Sequence, residues 1–510
     1  MAVLLDAFRQ AQPGGTAIVQ QSYLNWLEEQ EQERSQKYAM FRNYYEGEHT
    51  TQLTKRMRKF LELTPDQEFS LNFCPIVVDG LAEKLVVAKF ECDDQPDLLV
   101  DWWERSRMDA QQKVVHLASI RDGDTYLLVD WDNEGERPRF MQENAYDGVS
   151  GIHIVYSDEH RMMPVVAIKR WYVTSGAYVK TRRTNLYYPD RIEKYTDMGT
   201  GTSWQQHEED GQPWPIPWTD TGDMGGKPLG IPVIHFRNKD QGYSYGESEL
   251  EDVVPMANAL NKSMIDLLAA ADTAGFPIYT MTGGKPDTSI LAPGSWAYIT
   301  DPAGKIGSIA AADLTGLIAL KETIVFDIAR LTRTPTSNFQ LTGQVAAEGT
   351  LKEQRAGLIA KARDRQTVFG NAWEDAMTMA RKLYNVYGKG GLDEEVEVTV
   401  DWEDDEKVDF LTRANTVNLL NTAGAASIEQ KVTILHPDWT TTQIKREVKI
   451  IRDEQGINVQ PVHSGAQDAT PPPTHQAVIG PDGKPVDNFP RITVKPLLSP
   501  ETKPNTKGMA

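Results

Sequence analysis

The chain has almost no cysteine. Cys74 and Cys92 are the two thiols in 510 residues, which excludes a disulfide framework and points to assembly in a reducing compartment. A run of about 18 apolar residues is also missing, so neither a membrane-spanning helix nor a membrane partner is predicted. The opening MAVLLDAFRQAQ has no charged leader ahead of a long apolar stretch, and no signal peptide is read from it. Basic residues are in short supply: 53 Lys and Arg face 73 Asp and Glu, a formal net charge of −20. A protein that grips duplex phosphates is basic at least locally, so composition speaks against a DNA binder of the gripping kind. Such acidity speaks first for solubility. It also suits a surface past which DNA moves without sticking.

Catalytic and metal patterns are scarce too. No two of the nine histidines stand at i, i+3 or i+4, there is no HExxH, and the cysteines lack metal spacing. GDMGGKP at 222–228 resembles a phosphate loop only faintly. It has Pro228 where a Ser or Thr must hold the metal, and it precedes a strand rather than a helix. Ser150 in GVSG does not complete a nucleophile elbow. The acidic runs EDDE at 403–406 and EEVE at 394–397 read as solvated helix or strand starts before they read as cation sites. His436, ahead of Pro437, reads as a helix end. The Trp and Tyr residues at 202–218, 279, 296 and 298 lack interleaved Arg and Lys, so packing or subunit contact outweighs base stacking. No enzyme, cofactor or metal is expected.

Long helical periodicity is what the sequence does have. Residues 311–387 hold two helical patterns joined by a polar loop. Leu314, Leu317, Ile318, Leu320, Ile324, Ile328 and Leu331 recur at mostly helical spacing in the first. The loop TPTSNFQLTGQVAAEG has no period and carries Pro335 and Gly343 as breakers. The second pattern runs from about 350 to 387 through Leu351, Leu358, Ile359, Ala362, Phe369, Trp373, Met377, Leu383 and Tyr384. At 1.5 Å per residue that is a rod of about 57 Å, far beyond the usual three turns. Its polar face mixes Lys352, Glu353, Arg355, Lys361, Arg363 and Asp364, which marks a solvated or subunit-facing surface.

Around this centre the expected fold class is α+β. Residues 1–20, with Gln-Pro-Gly-Gly, are expected to be disordered, and 22–64 helical with a stop at Gly47. A second helix follows, with Asn72 near its N-cap and Pro75 in its first turn. The stretch 97–132 reads as helix then strand. Short alternating strands fill 138–195, a Gly/Pro/Trp-rich loop spans 198–227, and IPVIHFRN is a strand. A turn at Gly246 or Ser248 leads into a helix started or kinked by Pro255. Residues 278–310 are a small β module between helices 255–274 and 312–333, too small to hold a core alone. After a strand near 394–407, residues 406–455 read as helices, with a capping box at Ser427 and Gln430. The Pro-rich stretch 457–510 is expected to be disordered.

Four stretches in fixed order then carry a resemblance: YYEGEH (44–49) with LNFCPIVVDGLAEKL (71–85); IPVIHFRN (231–238); GYSYGESELEDVVPMANALNKSMID (242–266), especially Gly246, Ser248, Asp252, Pro255, Leu260 and Asn261; and 333–377, a loop followed by a long helix. Together they resemble the portal proteins of tailed bacteriophages of the siphovirus type, over residues 38–455. One detail departs: where the family has an SGEAL stretch, this chain reads AEGTLKEQ.

The resemblance implies a homo-oligomeric ring of twelve subunits at one capsid vertex, assembled in the host cytoplasm, around a channel for double-stranded DNA. It implies a wing (21–245), stem helices (246–277 and 311–333), a clip (278–310), a channel loop (334–349), a long wing helix and strand (350–404) and a crown (405–456). Asn338, Gln340, Thr342 and Gln344 would line the channel, and Trp296, Tyr298 and Lys305 would lie on the docking clip. Partners would be the terminase packaging motor, the head-completion adaptor, the major capsid protein, the scaffolding protein and DNA without sequence specificity. KRMRK at 55–59 reads as ordinary surface, with packaged DNA or another virion protein as the minority reading. Two other classes compete: an oligomeric virion or scaffold protein without a DNA channel, and a hydrolase whose site lies in 123–240.

Overall fold

A computed structural model of the chain describes residues 17–48, 70–157, 162–174, 181–197, 204–275 except 210, 279–283, 303–308, 314–339, 348–403, 410–436 and 441–454, with a few isolated positions besides. The fold is α+β.

The first helix, α1 (Ala17–Glu46), starts just after the Pro13-Gly14-Gly15 break, earlier than the sequence reading placed it, and ends at Gly47 with φ +79°. Leu24, Leu27, Glu31, Ser35, Tyr38 and Phe41 are buried, three or four positions apart, the spacing of one helix face. That face serves two cores. Leu24 and Leu27 pack with Val155, Val166, Ile168, Leu186 and Tyr195, while Tyr38 and Phe41 join the main core.

Helix α2 (Cys74–Ala82) opens as expected. Asn72 Oδ1 accepts the Cys74 N–H at 3.0 Å, and Pro75 sits in the first turn, where no N–H is needed. After β1 (Val87–Cys92), the stretch read as one helix is two: α3 (Pro96–Arg105) and α4 (Met108–Asp122). The break falls at Arg107, which adopts φ +57°.

Gly123, at φ +97°, turns α4 into β2 (Asp124–Asp132), a conformation other residues adopt only with strain. β2 is central in a three-stranded antiparallel sheet with β3 (Arg137–Asn144) and a later strand, and its first six residues are all buried. A central strand covered on both faces reads as a continuous apolar run, here YLLV, rather than as an alternation. Next come β4 (Gly151–Tyr156), β5 (Pro164–Tyr172), β6 (Arg182–Tyr187), β7 (Arg191–Asp197) and β8 (Trp204–Gln206), an antiparallel meander with β9 (Ile216–Pro217) added to β7. β10 (Val233–Arg237) then returns to pair with β2, His235 opposite Tyr126.

Helices α5 (Val253–Gly275) and α6 (Leu314–Thr332) pack along each other. Between them β11 (Tyr279–Thr282) and β12 (Lys305–Ser308) form an antiparallel ribbon. Helix α7 (Glu348–Tyr387) is 40 residues long. Leu358, Ala362, Phe369, Ala372, Trp373, Ala376, Met377, Ala380 and Leu383 are buried along it, in line with its predicted apolar stripe. β13 (Val398–Trp402) pairs with β1. Three helices close the described chain: α8 (Phe410–Thr422), α9 (Ile428–Leu435) and α10 (Thr441–Glu454). The capping box at α9 forms: Ser427 Oγ accepts the Gln430 N–H at 3.2 Å, and Gln430 Oε1 accepts the Ser427 N–H at 3.1 Å. His436 caps its C-terminal end, and both cysteines are free. Contacts divide the chain after Lys449.

Candidate functional site at the foot of the helical hairpin

The polar loop for which the resemblance implies a channel role leaves α6 through a fastened root. Thr332 Oγ1 donates to the Ile328 carbonyl at 2.8 Å and meets Thr334 Oγ1 at 2.9 Å. Arg333 turns the chain at φ +55°, and Thr334 and Pro335 are buried. A single turn of 3-10 helix, Thr336–Asn338, follows. The ring of Phe339 then packs edge-on against Phe73, centroids 5.7 Å apart, at the entry to α2.

Asn338 is exposed at the end of that turn, whereas Gln340, Thr342 and Gln344 lie outside the described residues. Lys305 is exposed at the start of β12, in register with Thr282. Trp296 and Tyr298 lie outside the described residues.

Beside the root is a charged junction that sequence reasoning missed. Glu249 is buried and accepts from Lys361 at 2.6 Å and Arg365 at 3.1 Å, with Lys239 at 3.8 Å. Burial pushes the Glu249 carboxyl up, but Lys361, Lys239 and Arg365 outweigh it and hold it below the ordinary glutamate value. Lys361 is held below the ordinary lysine value by burial, which outweighs the pull of Glu249. Arg365 also donates Nε to Asn238 Oδ1 at 2.6 Å, and Asn238 Nδ2 donates to the Glu247 carbonyl at 2.7 Å. A cavity of about 540 Å³ opens here, lined by Lys239, Glu249, Asp252, Arg333, Lys361 and Asp364 among others.

The segment 246–250 positions Glu249. Ser248 Oγ donates to the Arg121 carbonyl and accepts the Leu250 N–H at 2.9 Å. Gly246 lies against Gly123 and Asn238 so closely that a Cβ would sit 2.5 Å from the Asn238 carbonyl oxygen.

A second buried network ties the same segment to α1. Asp124 Oδ1 accepts the Gly246 N–H at 2.7 Å and His235 Nε2 at 2.8 Å. Its Oδ2 accepts Tyr38 Oη at 2.6 Å and Arg34 at 3.2 Å. Tyr156 Oη lies 2.6 Å from His235 Nδ1, so a neutral His235 donates to Asp124 and accepts from Tyr156. Burial holds His235 below the ordinary histidine value despite Asp124. Asp124 stays below the ordinary aspartate value because His235, Arg34 and Tyr38 outweigh its burial. These partners lie on four elements far apart in sequence, so no local pattern announces them.

Among the described residues no group of three or more His, Cys, Asp or Glu could hold a metal, and no helix is long and apolar enough to cross a membrane. The arrangement positions backbone and fastens a loop.

Comparison with known proteins finds likeness to phage portal proteins. The portal protein of Mycobacterium phage D29 is 23% identical over 341 residues, covering 62% of this chain and 64% of its own. The chain thus spans just under two thirds of that relative. The portal protein of Mycobacterium phage L5 is 20% identical over 437 residues, covering 80% and 86%. A solved structure titled as the neck of a native GTA particle computed with C12 symmetry matches 71% of this chain and 89% of its own, at 14% identity and a TM-score of 0.40. The family model described as phage portal protein, SPP1 Gp6-like, matches residues 24–456, from the first buried leucine of α1 to just past α10, and the chain belongs to that family.

Proposed function

We propose that this chain is the subunit of a closed ring, twelve copies around an axial channel at one capsid vertex, through which double-stranded DNA enters and leaves the particle. The continuous family match over residues 24–456 carries this reading. The hairpin of α5 and α6 supports it on physical grounds. Ile318, Leu320 and Leu331 of α6 remain 44%, 49% and 57% exposed in the isolated subunit. Large apolar side chains on a long helix call for a cover, and a closed ring supplies one by setting one face of each subunit against a different face of the next.

In this reading α5 and α6 are the stem, and residues 278–310 with Lys305, Trp296 and Tyr298 are the clip. The clip docks the packaging motor and later the head-completion adaptor. The loop 334–349, with Asn338, Gln340, Thr342 and Gln344, touches the sliding duplex. Uncharged amide and hydroxyl groups form no long-lived phosphate ion pairs, and acidic walls repel the backbone, so friction stays low. The capsid and scaffolding proteins contact the outer regions, 21–245 and 350–404.

Native mass measurement with negative-stain imaging of the purified chain tests the ring. A closed ring with a central hole and twelve subunit masses is expected; a monomer at every concentration, or an open filament, sinks the proposal. For the loop, Gln340→Lys should slow packaging or alter DNA retention. Unchanged values for both would remove the loop from this role.

A further inference from the structure

Basic residues are the minority on this chain, 53 against 73 acidic, and several of its arginines are held by carboxylates. Arg42 pairs with Asp122, Arg170 with Glu31, Arg365 with Glu249 and Arg381 with Asp94. Helix α10 departs from that pattern. Its Lys445, Arg446 and Lys449 are exposed, and none of the three has an ion-pair partner among the described residues. At 3.6 residues per turn they span about 100° of the helix circumference. Ile444 and Val448, 4% and 6% exposed, mark the buried side, whose middle lies about 130° round from the middle of the basic face. Glu447 stands about 150° from that same middle. No apolar residue falls between the three cations, and in the turn that follows Arg452 and Asp453 offset each other. A protein that grips phosphates is basic at least locally, and this face meets that requirement on a chain that as a whole does not.

We infer that the face of Lys445, Arg446 and Lys449 is a sequence-independent contact for the phosphate backbone of duplex DNA, separate from the sliding contact assigned to the loop 334–349. The inference rests on the DNA-conducting ring proposed above and adds a second place where each copy touches the duplex. The composition of the face selects the partner. The core of a protein–protein contact is depleted in lysine and built on apolar or aromatic anchors, and the face has none. Phosphate contacts need only cations spread along a surface, and they carry no sequence preference. The chain's own end is a poor cover, because the stretch after residue 456 has four acidic residues against five basic. Three cations hold a duplex weakly, but a closed ring repeats the face once per copy, and contacts made together by several copies multiply. Such a contact retards DNA, so it suits duplex at rest, whereas the uncharged loop suits duplex in transit.

The test titrates full-length wild type and K445Q/R446Q/K449Q with a fluorescent, covalently closed circular duplex. A closed circle cannot thread a closed ring, so it reports contacts outside the channel. Wild-type affinity should fall about 40-fold or more between 50 and 200 mM salt, the dependence expected when three phosphates are neutralised. The triple variant should bind at least about tenfold more weakly at the lower salt and show a flatter salt dependence. K445R/K449R keeps the charge and should bind as wild type does. An equal loss in that variant would assign the effect to the packing of α10 and overturn the inference. So would binding of linear duplex with the circle ignored, which places the contact in the channel. Polyglutamate that displaces the circle better than unlabelled duplex of equal charge would assign the face to an acidic protein, and overturn it too. Native mass measurement on the same samples separates the two readings. A wild-type chain that forms no ring brings down the ring, whereas rings whose hold on the circle ignores the triple change bring down this contact alone.

Discussion

Lys361, about a third of the way along α7, donates its ammonium to the backbone carbonyl of Thr332, the last residue of α6, at 2.9 Å. The same ammonium is 2.6 Å from Glu249. One side chain thus ties three things together: the end of a hairpin helix, the long helix that follows the polar loop, and the segment leading into α5. The loop 340–347 leaves and returns between the first two. Whatever that loop touches, its root is referred to Glu249.

Removing the carboxylate should therefore cost more than removing one cation. Glu249→Gln strands the largely buried Lys361 without its counter-charge and leaves Arg365 only the exposed Asp364, and breaking a buried ion pair from one side costs about 3–5 kcal/mol. Lys361→Met leaves Glu249 still paired with Arg365, so its loss should be about half as large. Denaturant unfolding of both variants gives the order. Hydrogen exchange at 328–339 should quicken in each, because Thr332 loses its tether. A Lys361 variant less stable than the Glu249 variant would show that Glu249 is not the hub.

Gly246 is expected to admit no side chain. An added Cβ would lie 2.5 Å from the Asn238 carbonyl oxygen and 2.7 Å from its nitrogen, and backbone on both sides cannot retreat independently. Gly246→Ala should cost about 3 kcal/mol or more, the upper end for overpacking, and should loosen the Asp124 network through the Gly246 N–H. Gly225→Ala, where a Cβ meets nothing within 4 Å, is the control and should be near neutral. Equal stability of the two variants would refute the steric account.

How far the sequence disclosed this molecule depends on the range of the signal. The long helix was legible because Leu358, Ala362, Phe369, Trp373 and Met377 keep one face over many turns, and α9 because Ser427 and Gln430 are three residues apart. The break between α3 and α4 was not: it falls at Ser106 and Arg107, where neither glycine nor proline punctuates the chain, and Arg107 adopts its positive φ because both flanking helices are held by tertiary burial of Trp102, Trp103 and Met108. The charged junction was invisible for another reason. Glu249 and Arg365 are 116 positions apart, and each by itself reads as an ordinary surface charge. Of the four loop residues picked from the sequence, the described residues include Asn338 alone.

Acid should weaken the fold through buried histidines. His116 is packed among Phe369, Trp373 and Trp402, with its Nδ1–H on the Leu85 carbonyl at 2.9 Å and its Nε2 accepting from Trp373 Nε1 at 2.9 Å. A second proton on Nε2 would face another donor, and burial brings the group down to about 4. A depressed histidine contributes its full stability above the unfolded value near 6.5 and loses it as pH falls toward 4. At about 1.4 kcal/mol per unit, the loss over this window is about 3 kcal/mol. Gln at 116 keeps a donor and an acceptor and cannot titrate. Between pH 6.5 and 4 the stability of His116→Gln should therefore fall less than wild type by about that amount; parallel curves would mean that His116 is already charged in the fold.

The second core makes the opposite demand on charge. Arg170 and Glu31 are both buried between α1 and the meander, joined at 2.6 Å, while Glu31 Oε1 has no hydrogen-bond partner. Burial raises the Glu31 carboxyl to about 7 against the pull of Arg170, so the pair is held under strain of desolvation rather than as a net source of stability. Arg170→Met alone should then cost about 3–5 kcal/mol at pH 8, where the buried carboxyl has lost its cation and must stay charged or take up a proton. Arg170→Met with Glu31→Met should recover to within about 1 kcal/mol of wild type or better, since Leu27, one turn before Glu31, and Ile168, two residues before Arg170 on the same strand, belong to the apolar cluster of this core. A raised carboxyl gives stability below its unfolded value and loses it as pH rises through about 7, so Glu31→Gln should gain on wild type at pH 8 and not at pH 4. Urea unfolding followed by tryptophan fluorescence at both pH values measures all three variants. A double variant no better than Arg170→Met would mean that the ion pair itself, rather than the apolar packing around it, holds α1 to the sheet.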